Sequence, residues 1–204
     1  MATIYALKPK FQAVLRPTVA LLAAVGVTAN QVTIAAMVLS VGWGAVIAAT
    51  RGAAFTLLGL PLVILLRIAL NAIDGMLARE YTQASRLGFF LNETGDVVSD
   101  AALYLPLMLV LAPAAPLLAG AAAFAMALIE MAGVLGRAAG GSRRYDGPFG
   151  KSDRAAYFSI LAVAAAAVTL PAWLPLAAIA AALALSAVTV VNRVGASLRE
   201  TGDG

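Results

Sequence analysis

Acid–base or metal chemistry in this chain falls to carboxylates, because the sequence holds ten Asp and Glu residues, no histidine and no cysteine. Disulfides, thiolate sites and imidazole bases are therefore excluded. The polar residues with the most suggestive spacing are Asn71, Asp74, Asn92, Asp96 and Asp100, with Glu93 beside them. On a helix, positions 71, 74 and 78 share one face, and positions 88, 92, 96 and 100 share another. Two such faces turned together would gather carboxylate and amide oxygens, a donor set suited to a hard cation such as Mg²⁺ or Mn²⁺. The plainer reading is a polar network that only locks helices together. Gly75, Ala78 and Gly88 lie among these residues and leave room for a bulky ligand.

The elements that must position these groups are membrane helices. Hydrophobic residues make up 62% of the 204 and charged residues 12%, and mean hydropathy is +0.94. A soluble fold of this size could not hide that much apolar surface. The fold class expected is an all-α integral membrane protein, with six spans and a surface helix in a single domain over 1–204. The spans are predicted near 31–50, 53–78, 88–111, 114–136, 154–170 and 174–194, with an amphipathic helix lying on the surface near 8–24. The polar faces fall near one end of the second and third spans. A short turn joins those spans, which predicts antiparallel neighbours. If the six spans alternate, Lys8, Lys10, Arg16, Arg79, Arg86, Arg137, Arg143, Arg144, Lys151, Arg154, Arg193 and Arg199 fall on one side, and Arg51 alone on the other. The excess of basic residues predicts cytoplasmic termini. It also accounts for the net charge of +4 without nucleic acid. The opening residues read as no cleavable signal peptide.

Asn71-Ala-Ile-Asp74-Gly75-Met-Leu-Ala78-Arg79, eight residues, then Gly88-Phe-Phe-Leu-Asn92-Glu-Thr-Gly-Asp96 resembles the signature of the CDP-alcohol phosphatidyltransferases, D-x2-D-G-x2-A-R-x8-G-x3-D-x3-D. Thr28-Ala-Asn30-Gln-Val-Thr33 resembles the P-N-x-x-T start of that family's first span, with Ala29 in place of proline. The resemblance covers nearly the whole chain. It implies transfer of a phosphatidyl group from a CDP-lipid such as CDP-diacylglycerol to a small polar alcohol, with release of CMP. It further implies one or two Mg²⁺ or Mn²⁺ ions held by Asn71, Asp74, Asn92 and Asp96, with Asp96 as the catalytic base. A CDP moiety would lie on Asn30, Asp74, Gly75, Ala78, Arg79 and Gly88, and the protein would be a homodimer in the bacterial inner membrane.

Two departures bear on that expectation. Asn71 and Asn92 stand where the signature has its first and third aspartates, so the four-residue set carries two negative charges rather than four. One metal could then bind tightly and another weakly, Glu93 or Asp100 could supply the missing charge, or the chain could be a non-catalytic relative that binds CDP-lipid. A metal or ion transporter is the competing class. Toward the acceptor, Arg137, Lys151, Ser152 and Arg154 are candidates for holding an anionic alcohol, because Lys151 opens a helix whose N-terminus favours anions. Arg67 and Glu130 lie deeper. Arg67 is expected either to steady the metal site or to pair with Glu130, and the pair is the reading preferred.

Overall fold

The computed structural model describes residues 4–202, with side chains from 11 onward; Lys8 and Lys10 of the basic N-terminal segment lie outside the described side chains. Seven helices make up these residues: α1 (Ile4–Ala24), α2 (Ala29–Ala49), α3 (Ala54–Glu80), α4 (Arg86–Leu111), α5 (Pro116–Ala138), α6 (Lys151–Ala167) and α7 (Trp173–Thr201). Local chemistry sets several of their ends. Thr28 accepts from the Gln31 N–H at 3.3 Å while the Gln31 side chain accepts from the Thr28 N–H at 2.9 Å, a reciprocal cap that starts α2. Ser85 caps α4 by accepting from the Gly88 N–H at 2.9 Å. Gly202, in the left-handed region at φ 84°, ends α7.

Five helices, α2, α3, α4, α5 and α7, are long and apolar enough to cross a membrane. The fifth expected span, 154–170, is found as a helix of 17 residues shifted three residues toward the N-terminus. It begins at Lys151 because the Asp153 carboxylate accepts from the Gly150 N–H at 2.9 Å. It stops before Val168, which is extended at φ −141°, ψ 152°, close to Pro171, whose predecessor is disfavoured in helix.

The packing order differs from the expected one. α2 packs against both α3 and α4, α1 and α6 pack on α3, and α5 lies between α4 and α7. The α3 and α4 backbones share no extended contact, so the two helices that carry the signature are not packed neighbours. The glycines and the turn explain why. A Cβ on Gly44 of α2 would stand 1.8 Å from the Ala102 carbonyl oxygen of α4, so only glycine permits this crossing. The Gln83 side chain in the α3–α4 turn accepts from the Ala29 N–H at 2.6 Å, seating the turn on the start of α2. α2 is thereby held in the groove of the α3–α4 pair, and the signature side chains meet across the space left over.

An apolar interior fills the rest of the bundle, with Leu60, Leu103, Leu107, Met108, Ile129 and Ile179 buried together. Tyr104 of α4 stacks on Phe158 of α6, with ring centroids 4.3 Å apart. Outward-facing Leu58, Leu62, Leu65, Phe124, Ile160 and Val191 are exposed, as a lipid-facing surface requires.

Candidate active site

Asp74, on α3, is 5% exposed. The Thr33 hydroxyl of α2 donates to its Oδ2 at 2.8 Å. No ion pair involves Asp74 among the described residues, although the charges of Lys151 and Asp96 are within range. A buried carboxylate without a bonded cation is costly. The Asn30 amide oxygen, one turn before Thr33, lies 2.8 Å from where a Cβ would stand on Gly88, and the Arg79 guanidinium lies 3.1 Å from the corresponding point on Gly75. Asn30, Asp74, Gly75, Arg79 and Gly88 are thus gathered around the start of α2.

Asp96, on α4, has the opposite surroundings. Lys151 Nζ donates to its Oδ1 at 2.5 Å, Asn71 Nδ2 at 3.3 Å and Arg67 Nη2 at 3.4 Å. All three donors converge on Oδ1. Oδ2 has no donor among the described residues.

Below Asp96 lies a run of buried ion pairs across five helices. Arg67 of α3 donates to Asp100 at 2.5 Å. Arg154 of α6, fully buried, bonds Asp100 at 2.7 Å and Glu130 of α5 at 2.6 Å. Arg193 of α7 lies 3.6 Å from Glu130 and donates to the Ile129 carbonyl at 2.7 Å. Arg143, in the α5–α6 connection, pairs with Glu93 and lies 3.3 Å from Glu130. The same connection is shaped by Gly147, at φ 110° against the Thr189 backbone, and by the Arg144–Asp146 pair at 2.9 Å. The hydrogen bond from Arg144 holds the Asp146 carboxyl below its ordinary range.

Chemically, the first group offers an all-oxygen donor set around an uncompensated carboxylate. Asp74 and Asp96, with the amide oxygens of Asn71 and Asn92, are of the oxygen type that a hard divalent cation takes. They do not form a carboxylate-rich cage, and among the described residues no three acidic side chains converge in that way.

The inner membrane protein YnbA of Escherichia coli (strain K12) is 46% identical to this chain over 172 residues, 84% of either sequence. The chain belongs to the YnbA family. No protein-family model matches it. In fold it resembles phosphatidylinositol phosphate synthase (PgsA1) of Mycobacterium tuberculosis. The manganese and citrate complex of that enzyme aligns with a TM-score of 0.75 at 21% identity, covering 92% of this chain and 90% of the other. The form with CDP-DAG bound aligns with a TM-score of 0.70, also at 21% identity, covering 91% and 92%. The shared fold is therefore that of the phosphatidylinositol phosphate synthase.

Within that fold, several expected placements change. Arg67 does not meet Glu130; it holds Asp96 and Asp100, while Glu130 is taken by Arg154, Arg143 and Arg193. Glu93 and Asp100, considered as sources of missing charge for a metal, are both committed to arginines. Among the acceptor-side candidates, Lys151 is at Asp96, Ser152 is exposed at the start of α6 and Arg137 is exposed beside Phe89, 5.8 Å from the ring centroid. Arg154 is buried in its own ion pairs rather than open to an anion. Ala78 packs in the apolar cluster of Val19, Val32 and Ile73, and Asn92 is half-buried. Two residues were missed. Thr33 lies on the face that carries Asn30, one turn on, which marked it. Arg143 had no local signal, because its partners are distant in sequence.

Proposed function

We propose that this protein transfers a phosphatidyl group from a CDP-lipid such as CDP-diacylglycerol to the hydroxyl of a small polar alcohol, releasing CMP. The observation that carries this reading is the arrangement of Asp96. Three donors fix one carboxylate oxygen, and Oδ2 has no donor among the described residues. The phosphatidylinositol phosphate synthase of this fold has been solved with CDP-DAG bound and with manganese, which supports a CDP-lipid donor and a divalent metal here.

The residues divide the work. Asn30, Gly75, Arg79 and Gly88 receive the CDP moiety, whose close approach the two glycines permit. Asp74, Asn71, Asn92 and Asp96 would hold a divalent cation, which when bound supplies positive charge to the diphosphate and the departing CMP phosphate. Asp96 Oδ2 takes the proton of the acceptor hydroxyl. The acceptor oxygen then bonds to the phosphorus that bears the lipid, and the bond from that phosphorus to the CMP oxygen breaks. Lys151 and Arg67 hold Asp96 oriented for that role.

The same reading makes the chain one multi-pass domain of the bacterial inner membrane, and its relative YnbA is named an inner membrane protein. α1 lies on the cytoplasmic surface, both termini and the site are cytoplasmic, and the functional unit is a homodimer. A site near the headgroup level lets acyl chains stay in the bilayer while cytidine faces water.

Asp96→Asn tests the assignment. Purified protein in lipid nanodiscs with Mn²⁺ should lose CMP release by about a hundredfold or more, while CDP-diacylglycerol still binds. Unchanged turnover would remove Asp96 as the base. A wild-type protein that binds the donor but releases no CMP with any acceptor is instead a lipid-binding relative, and metal flux without CMP marks a transporter.

A further inference from the structure

Of the cations expected to receive an anionic acceptor, Lys151 and Arg154 are already neutralised by this chain's own carboxylates, and Arg143 beside them is too, whereas Arg137 lies exposed over Phe89. Lys151 is held by Asp96 at 2.5 Å, Arg154 by Asp100 and Glu130, and Arg143 by Glu93 and Glu130. The N-terminus of α6, the other anion-attracting feature, is capped by Asp153 at 2.9 Å. Glu93 stands one residue from Asn92, and it lies within range of the charges of Asp96, Lys151, Glu130 and Arg143. The surroundings of the reacting carboxylate are therefore balanced before any acceptor arrives.

A phosphorylated acceptor would bring about two negative charges into this balance. To use Arg143 or Lys151 it must push a carboxylate off its partner, and a partly buried carboxylate without its partner costs several kcal/mol. An uncharged hydroxyl makes no such demand. Two polar atoms of the Glu93–Arg143 pair are buried without a hydrogen-bond partner among the described residues, Glu93 Oε2, an acceptor, and Arg143 Nε, a donor. A hydroxyl, which donates and accepts at once, matches that couple. A phosphate meets Glu93 as a like charge.

We infer that the acceptor is an uncharged polyhydroxy alcohol, not an alcohol phosphate, and that the Glu93–Arg143 pair enforces this choice. This rests on the transferase reading above, with Asp96 taking the proton. Glu93 acts as a specificity residue beside the reaction. It excludes the phosphorylated form through repulsion and by occupying Arg143.

The test compares matched acceptors on protein in nanodiscs with CDP-diacylglycerol and Mn²⁺: glycerol against glycerol 3-phosphate, and inositol against inositol phosphate. CMP release and lipid product mass are both measured. The uncharged member of a pair should show kcat/KM higher by about tenfold or more. Glu93→Gln should move that ratio toward the phosphorylated member by about tenfold, chiefly through a lower KM for it. A wild-type preference for the phosphorylated member, or a ratio unmoved in a folded, donor-binding Glu93→Gln protein, overturns the inference while the transferase reading stands. No CMP from any acceptor overturns both. The wild-type comparison decides the matter even if the variant does not fold.

Discussion

Asp74 and Asp100 are both buried aspartates on signature-bearing helices, and they are treated in opposite ways. Asp100 lies between two arginines, Arg67 at 2.5 Å and Arg154 at 2.7 Å. Asp74 receives the Thr33 hydroxyl at 2.8 Å and no ion pair among the described residues. The difference separates two kinds of charge in one membrane domain. Around Asp100 the protein supplies its own counter-ions, and the result is a strut linking α3, α4, α5, α6 and α7. At Asp74 no such counter-ion is bonded among the described residues, and this is the place the proposed divalent cation would take. Asp96 sits on the border, with Oδ1 bonded by Arg67 of the strut and by Lys151 and Asn71, and Oδ2 without a donor among the described residues.

The largest effect should come from breaking the strut. Asp100→Asn leaves Arg67 and Arg154 short of a counter-ion, and removing one partner of a buried pair costs about 3–5 kcal/mol. A marked fall in thermal midpoint in detergent, independent of Mn²⁺, is the expected result. An Asp100→Asn protein as stable as wild type would mean the network does not hold the bundle together.

Asp74→Asn should behave in the reverse manner. Without divalent metal, loss of an uncompensated buried charge should leave the thermal midpoint unchanged or raise it. The stabilisation that Mn²⁺ gives the wild type by binding the native state should vanish. Equal Mn²⁺ stabilisation in both proteins would place the cation elsewhere.

A smaller change sharpens the same contrast. Thr33→Val keeps the side-chain shape of Thr33 but removes the hydroxyl that orients Asp74. Supporting bonds of this kind typically contribute about 10–100-fold in metal affinity, so Mn²⁺ titration should show weaker binding with the fold retained. Undiminished affinity would make the Thr33 contact incidental.

Much of the architecture was legible because the bilayer leaves the chain so few options. Stretches such as 31–50 and 88–111 are apolar enough that helix is the one form that satisfies their backbone, and the helices found over Ala29–Ala49 and Arg86–Leu111 agree within two residues. The α6 segment was less legible. Its polar start, Lys151-Ser152-Asp153-Arg154, is expected to open a helix, but hydropathy places the span from 154, and the Asp153 cap sets the first turn at Lys151. Asn30, Gly75, Gly88, Asp74 and Asp96 were marked by spacing that survives in one dimension. The partners of Arg67, Arg143 and Glu130 were not, since they lie from 13 to 63 residues away or more in the chain and spacing along one helix says nothing of the helix opposite.

The sequence by itself determined that the chain is helical and membrane-embedded, and which oxygens line the two polar faces. Periodicity and hydropathy are local properties, and local properties are readable from neighbours in the chain. Tertiary structure alone decided that α2 wedges between α3 and α4, that Arg67 answers to Asp96 and Asp100, and that Lys151 and Arg143 arrive already neutralised. Those outcomes depend on how closely helices can approach, as at Gly44 against Ala102. They also depend on Coulomb energies that change steeply over a few ångströms in a medium of low dielectric.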